Sequence, residues 1–117
     1  MINYQQPGDI LTFIAPSGGV TAGTPVLIQG TLVIPEATTA QTLPFQGRIT
    51  GVFASMPKAT GATWTVGQLL YWDNSAFKFT TTATSNTRVG IAASVQASGD
   101  TTGVVRLDGI AVGGAAP

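Results

Sequence analysis

Short runs rich in β-branched and aromatic residues alternate along the chain with polar breaks rich in glycine and proline. The breaks include "PSGG", "TAGTP", "PKATGA", "DNSA", "TSNT" and "ASGDTTG". Runs and breaks of this kind are typical of β-strands and turns. The predicted strand segments are 9–15, 25–34, 44–54, 68–73, 76–82, 88–95 and 103–109. Several short strands at regular spacing predict an all-β fold, a small compact β-barrel or sandwich.

Two further patterns refine this prediction. Only residues 37–42, "ATTAQT", have the composition of a short helix, and their threonines weaken that prediction. Residues 21–34 and 65–79 each read as a Thr-x-Gly turn, an apolar strand, a polar break and a second strand. They predict two similar hairpins that pack face to face. Glycines inside the predicted strands, at Gly47, Gly51 and Gly90, indicate bulges or tight corners.

The segment "LLYWDNSAFKFTTT", residues 69–82, holds four of the nine aromatic residues of the chain. If "DNSA" is a four-residue loop, Trp72 lies opposite Phe77, and Leu70 lies opposite Phe79, all on one face of a hairpin. The alternative is an exposed aromatic surface for sugars or single-stranded nucleic acid, which needs basic or hydrogen-bonding residues alongside the rings, and only Lys78 is near. Large rings are usually buried, so these four residues are predicted to belong to the core.

The same four-residue loop also predicts which side chains share the opposite face of this hairpin. Tyr71 and Lys78 fall together there, and the ammonium group would lie over the tyrosine ring. Asn74 is the loop residue suited to a left-handed backbone conformation.

Composition limits the possible functions. A chain of 117 residues predicts one domain, and it has no cysteine or histidine. Only 9% of residues are charged while 44% are hydrophobic, so an uncovered surface would tend to self-associate. The five bases are scattered and balanced by five acids, so no nucleic-acid partner is predicted. The chain has neither a signal-peptide pattern nor an apolar run of membrane-spanning length. Two arrangements remain open: a surface covered by copies or a partner, and a monomer coated with Thr, Ser and Gln.

Catalytic signals are weak. The acids are not spaced as a pair on one element, and the only motif match is "SMPK", with Ser55 and Lys58 at the Ser-x-x-Lys spacing of penicillin-recognising enzymes. Pro57 interrupts the helix that this chemistry needs, and the accompanying motifs are missing. The glycine loop "APSGGVTAGTP" has no lysine and leads into a strand, so it is not a nucleotide-binding loop. No enzyme activity, metal, cofactor or small-molecule substrate is predicted.

Three blocks of sequence carry a family resemblance. They are "GDILTFIAPSGGVTAGTPVLI", "GVFASMPKATGATWTVGQLLYWDNSAFKFTTTATSNTRVGIA" and "ASGDTTGVVRL". In order and spacing they resemble the small capsid decoration (cement) proteins of tailed bacteriophages, formerly a domain of unknown function. The resemblance covers roughly residues 8–109. Members are sometimes labelled as phage recombinases, but this chain has neither the nucleotide loop nor the basic DNA surface of a recombinase.

The resemblance implies a structural virion protein without enzyme activity. Such proteins assemble as homotrimers on the outer surface of the capsid, bind the major capsid protein and stabilise the expanded head. A phage tail, fibre or baseplate β module is the alternative, since it would share the low charge and the threonine-rich sequence. A small hydrolase that uses Ser55 and Lys58 is a third and weaker hypothesis.

The two ends of the chain complete the expected organisation. Residues 1–8 are predicted to be an N-terminal arm, residues 9–110 the β domain, and residues 111–117 a flexible C-terminal tail. The hypothesis for the arm is that it adds a strand to the capsid protein, as in decoration proteins of the lambda type. An ordinary frayed terminus is the alternative. The candidate capsid-binding residues are Met1, Ile2, Asn3, Tyr4, Gln5 and Gln6.

Overall fold

The structure, a computed structural model, describes residues 8–110. These residues form two antiparallel β-sheets. Their nine strands are β1 (Ile10–Ile14), β2 (Val26–Ile28), β3 (Thr31–Pro35), β4 (Pro44–Arg48), β5 (Thr50–Pro57), β6 (Leu69–Asp73), β7 (Lys78–Thr80), β8 (Thr87–Ala92) and β9 (Thr102–Asp108). The all-β prediction is therefore confirmed. Within this part of the chain no helix is long and apolar enough to cross a membrane.

The helix considered for residues 37–42 is wrong. Val20 and Thr39 exchange both backbone hydrogen bonds, at 2.9 and 3.0 Å, in an isolated antiparallel bridge. The N–H and C=O groups of Thr39 therefore bond to Val20 in a neighbouring loop and are not available for the hydrogen bonds of a helix. This loop pair lies beside the first sheet.

The first sheet has the strand order β1-β4-β3-β2. Strands β2 and β3 form a hairpin whose two-residue turn includes Gln29, with a φ of 56°. Gly47 of β4 is regularly paired and marks neither a bulge nor a corner. A Cβ atom there would overlap with the side chain of Val33, so glycine allows close packing inside the sheet.

The second sheet has the strand order β5-β9-β8-β6-β7. Its register shifts between Phe53 and Met56 and again between Leu70 and Tyr71. The latter bulge lies beside Gly90, where a Cβ atom would overlap with the carbonyl oxygen of Arg106. The two edges approach each other at one parallel bridge between Lys58 and Phe79, yet the sheet is not a closed barrel.

The main core lies between the two sheets. Leu32 and Ile34 of β3 pack there against residues of the second sheet, including Leu70, Trp72 and Phe79. A second cluster covers the other side of the first sheet and contains Ala15, Val20, Val33 and Phe45. The first sheet is therefore covered on both faces, whereas the second sheet leaves its outer face open.

The predicted hairpin similarity corresponds to two hairpins, β2–β3 and β6–β7. Both are preceded by a glycine with positive φ, Gly23 at 78° and Gly67 at 92°. The two hairpins contribute to the same core cluster from opposite sheets, through Leu27 and Leu32 on one side and Trp72 on the other.

Candidate functional site

The aromatic hairpin supplies core residues rather than an open binding surface. Leu70, Trp72 and Phe79 are fully buried. The rings of Trp72 and Phe79 meet edge to face, with centroids 5.0 Å apart. Trp72 Nε1–H donates to Asn74 Oδ1 at 3.0 Å, which satisfies the indole in a buried setting.

The prediction that Phe77 belongs to the core is wrong, because its side chain is 61% exposed. Trp72 pairs with Phe79 and Asp73 pairs with Lys78, so the loop is 74–77 and begins one residue later than predicted. A shift of one residue moves a side chain to the other face of a strand. The left-handed residue of the loop is Phe77, with a φ of 57°, and not Asn74.

The carboxylate of Asp73 organises this turn. Asp73 Oδ1 accepts hydrogen bonds from the backbone N–H and hydroxyl of Ser75 and from the backbone N–H of Ala76. These bonds, that of the hydroxyl first, lower the pKa of Asp73. The predicted contact of Lys78 with Tyr71 is also corrected, since Tyr71 pairs with Thr80 and Lys78 with Asp73.

Ser55 and Lys58 do not form the helical arrangement that Ser-x-x-Lys chemistry requires. Ser55 lies in the irregular part of β5, is exposed and has a φ of 59°. Lys58 follows the same strand and is fully buried. The hydrolase hypothesis therefore has no support from the local geometry.

Lys58 instead joins two loops to the core. Its Nζ donates to the carbonyl oxygens of Ala59 at 3.1 Å and Asp100 at 3.4 Å. The ammonium group also lies 5.7 Å from the centroid of the Trp64 ring, within the range of a cation–π interaction. This role of Lys58 was not predicted, because no local sequence pattern shows that a lysine near a strand end is buried.

The glycine loop between β1 and β2 uses its backbone donors within the chain. Gly18 N–H donates to the side chain of Gln41, Gly19 N–H to Pro16, and Gly23 N–H to Pro35. The Gly19 bond closes a turn and the other two bonds join the loop to distant segments, while all three glycines have the positive φ of turn residues. Across residues 8–110 no group of three or more acidic side chains has the arrangement of a metal site.

On the outer face of the second sheet, a row of three apolar residues and one arginine crosses four strands. Val52, Arg106, Ile91 and Leu69 are consecutive cross-strand partners on β5, β9, β8 and β6. Val52 is 62% exposed and Leu69 38% exposed. Directly opposed residues point to the same face of a sheet, so the Arg106 side chain stands among apolar neighbours. We call these four residues the outer-face row.

A polar row borders the outer-face row. Arg88 Nη2 donates to Asp108 Oδ2 at 2.7 Å, and Asp108 pairs with Thr50 across the strands. Burial raises the pKa of Asp108, but the hydrogen bonds from Arg88 and the Ile110 backbone and the charges of Arg88 and Arg106 outweigh it. The pKa of Asp108 therefore lies below its usual value.

The predicted capsid-binding residues Met1 to Gln6 lie outside the described residues, as does the predicted tail, 111–117. The strongest candidate site in the described part is therefore the outer-face row. The described residues thus form a small domain of two β-sheets whose second sheet has a partly apolar outer face.

The comparison with protein families agrees with this class. A family model described as phage cement protein matches residues 5–107, and the chain belongs to this family. Membership gives the protein a structural role associated with the phage capsid. Neither a curated protein nor a solved structure matches the chain significantly.

Proposed function

We propose that the protein binds the outside of the expanded phage head as homotrimers and stabilises the shell. Its partner is the major capsid protein, and each trimer bridges neighbouring capsomers at threefold and quasi-threefold positions. The observation that carries this proposal is the family match over residues 5–107. The low charge and the open outer face of the second sheet support it, because both favour a surface that is covered in an assembly.

The physical basis of stabilisation is multivalency. Each bound copy links neighbouring capsomers, so capsomers that could otherwise separate one by one are held together. Many modest contacts between a decoration protein and a closed shell therefore act together. A symmetric trimer presents three identical contact surfaces to a threefold site. Affinity for an assembled head is therefore expected to exceed affinity for free capsid protein by a large factor.

A binding titration tests the proposal. Purified protein is mixed with expanded heads that lack it, and the bound fraction is measured after sedimentation. We expect saturable binding near three copies per threefold site and a higher temperature of DNA release from decorated heads. Binding to purified tails but not heads would favour the tail or baseplate alternative. Binding to neither would contradict the proposal.

The N-terminal arm is a second part of the proposal. We propose that residues 1–8 precede a domain at 9–110, and that Met1 to Gln6 add a strand to the capsid protein. The alternation of Ile2 and Tyr4 with polar residues supports a strand that has one apolar face. A variant without residues 2–6 is expected to occupy fewer sites on the head. Unchanged occupancy would leave the arm without a role in binding.

A further inference from the structure

The cations of the described residues differ in whether they are paired. Arg48 contacts Glu36 at 2.9 Å, Arg88 contacts Asp108 at 2.7 Å, and Lys58 is bound to carbonyl oxygens. Arg106 and Lys78 are exposed and form no hydrogen bond or ion pair within residues 8–110. Both charged groups are therefore accessible to a partner, although the charge of Arg106 also acts on Asp108, two residues along the same strand.

Their surroundings are different. Lys78 lies on the edge strand β7, directly opposite the carboxylate-bearing Asp73. Arg106 lies on an inner strand, between Val52 on one side and Ile91 on the other. A guanidinium among apolar side chains loses water when a partner covers it, so an opposed carboxylate there would bind more strongly than at an exposed edge.

Among residues 8–110 no carboxylate forms an ion pair with Arg106, and the neighbouring Asp108 is paired with Arg88. Each of the five acidic side chains already has a hydrogen-bond or ion-pair partner within its own chain. The partners are Thr50 for Asp9, Arg48 for Glu36, the turn residues Ser75 and Ala76 for Asp73, Gln96 and Ala97 for Asp100, and Arg88 for Asp108. A contact that brings identical outer faces together, around the threefold axis of the proposed trimer or around a twofold axis, would also bring copies of Arg106 together. Charge complementarity therefore favours a different protein as the occupant.

We propose that the outer-face row, Val52, Leu69, Ile91 and Arg106, is the surface that docks on the capsid protein. It fits an apolar patch of that protein with a carboxylate placed to receive the Arg106 guanidinium. This inference rests on the proposed function and assigns the contact to one face of the domain. Arginine is enriched at interaction hot spots, where surrounding contacts exclude water from the central residue.

The test compares Arg106→Gln with Lys78→Gln in the head-binding titration. Both variants remove one exposed charge without an ion-pair partner and leave a shorter, uncharged polar side chain. We expect Arg106→Gln to weaken binding at least about tenfold and Lys78→Gln to bind like the wild type. Added salt should weaken the wild type more than Arg106→Gln, because the charged pair is screened.

A second pair of variants tests the apolar part of the surface. Val52→Thr and Ile14→Thr each replace a strongly exposed apolar residue on a strand, at 62% and 60% exposure, with a β-branched polar one. Val52 belongs to the outer-face row, and Ile14 belongs to the first sheet. We expect a several-fold loss of head binding only for Val52→Thr. Circular dichroism and sedimentation velocity establish that each variant is folded and unchanged in oligomeric state.

Three results would overturn the inference. Wild-type affinity in Arg106→Gln would show that the face does not touch the capsid. A changed oligomeric state in Arg106→Gln would place this face between copies of the chain instead. Failure of the wild type itself to bind heads would remove the proposed function as well, whereas the first two results leave it intact.

Discussion

Lys58 shows how one side chain organises a part of this molecule that has little regular structure. Residues 58–68 and 93–101 connect strands of the second sheet. Lys58 contributes hydrogen bonds to Ala59 and Asp100, and Trp64 covers its ammonium group. The side chain thus holds two loops against the core without a carboxylate partner. Its role at this scale is structural stabilisation.

Replacement of Lys58 by Met keeps the aliphatic stem but removes all three donor hydrogens. The carbonyl oxygens of Ala59 and Asp100 then lose their partner, so the free energy of unfolding should fall by about 1–3 kcal/mol. Chemical denaturation measures this change. Lys78→Met is the control and should change stability by about 0.5 kcal/mol at most, because Lys78 is exposed. Equal stability of the two variants would contradict the role given to Lys58.

The lowered pKa of Asp108 predicts how the stability of the fold depends on pH. Its pKa in the folded protein lies below its usual value, which is about 3.9 in an unfolded chain. The ionised carboxylate therefore stabilises the fold above that unfolded value, and this contribution is lost as the pH falls through the folded pKa. Asp108→Asn should be less stable than the wild type at neutral pH, and the difference should shrink below about pH 4. Denaturant titrations at several pH values measure it, and a difference independent of pH would contradict it.

At the scale of elements, the β6–β7 hairpin shows the consequence of one residue of register. Phe77 stands in the left-handed backbone region and leaves its ring exposed, while Asp73 supplies the hydrogen bonds of the turn. A bulky residue in this conformation carries backbone strain. The turn is therefore held by Asp73 and by the pairing of Trp72 with Phe79, and not by a preference of Phe77.

Phe77→Gly should stabilise the isolated protein by about 0.5–1 kcal/mol, because glycine adopts a positive φ without strain. Phe77→Ala is the matched control, since it removes the ring but keeps a Cβ atom. Thermal unfolding of the two variants side by side measures the effect. A gain in both variants would assign the effect to the exposed ring instead of the backbone.

At the scale of the whole molecule, the two sheets differ in what covers them. The first sheet has an apolar cluster on each face, and the second has the main core on one face and the outer-face row on the other. Few charges protect the remaining surface, since only 9% of residues are charged. Such a domain gains stability when assembly covers its surface.

If the protein is a trimer in solution, its unfolding temperature should rise with protein concentration, because mass action favours the assembled folded state. Calorimetry over a hundredfold range of concentration measures this dependence. Arg106→Gln should show the same dependence, because the outer-face row is assigned to the capsid. A concentration-independent temperature in both proteins would indicate a monomeric folded state.

The sequence by itself determined where most of the strand-forming segments lie and the family, because these depend on local composition and on motifs that are continuous in the chain. Seven predicted segments correspond to the nine strands, with residues 25–34 and 44–54 each divided between two of them. Only the tertiary structure decided the register of the β6–β7 turn, the burial of Lys58 and the alignment of Val52, Leu69 and Ile91 around Arg106. The burial of Lys58 and the alignment around Arg106 depend on contacts between residues far apart in the chain. The turn register is local, but the period of a strand does not specify which residue of another strand will lie beside it.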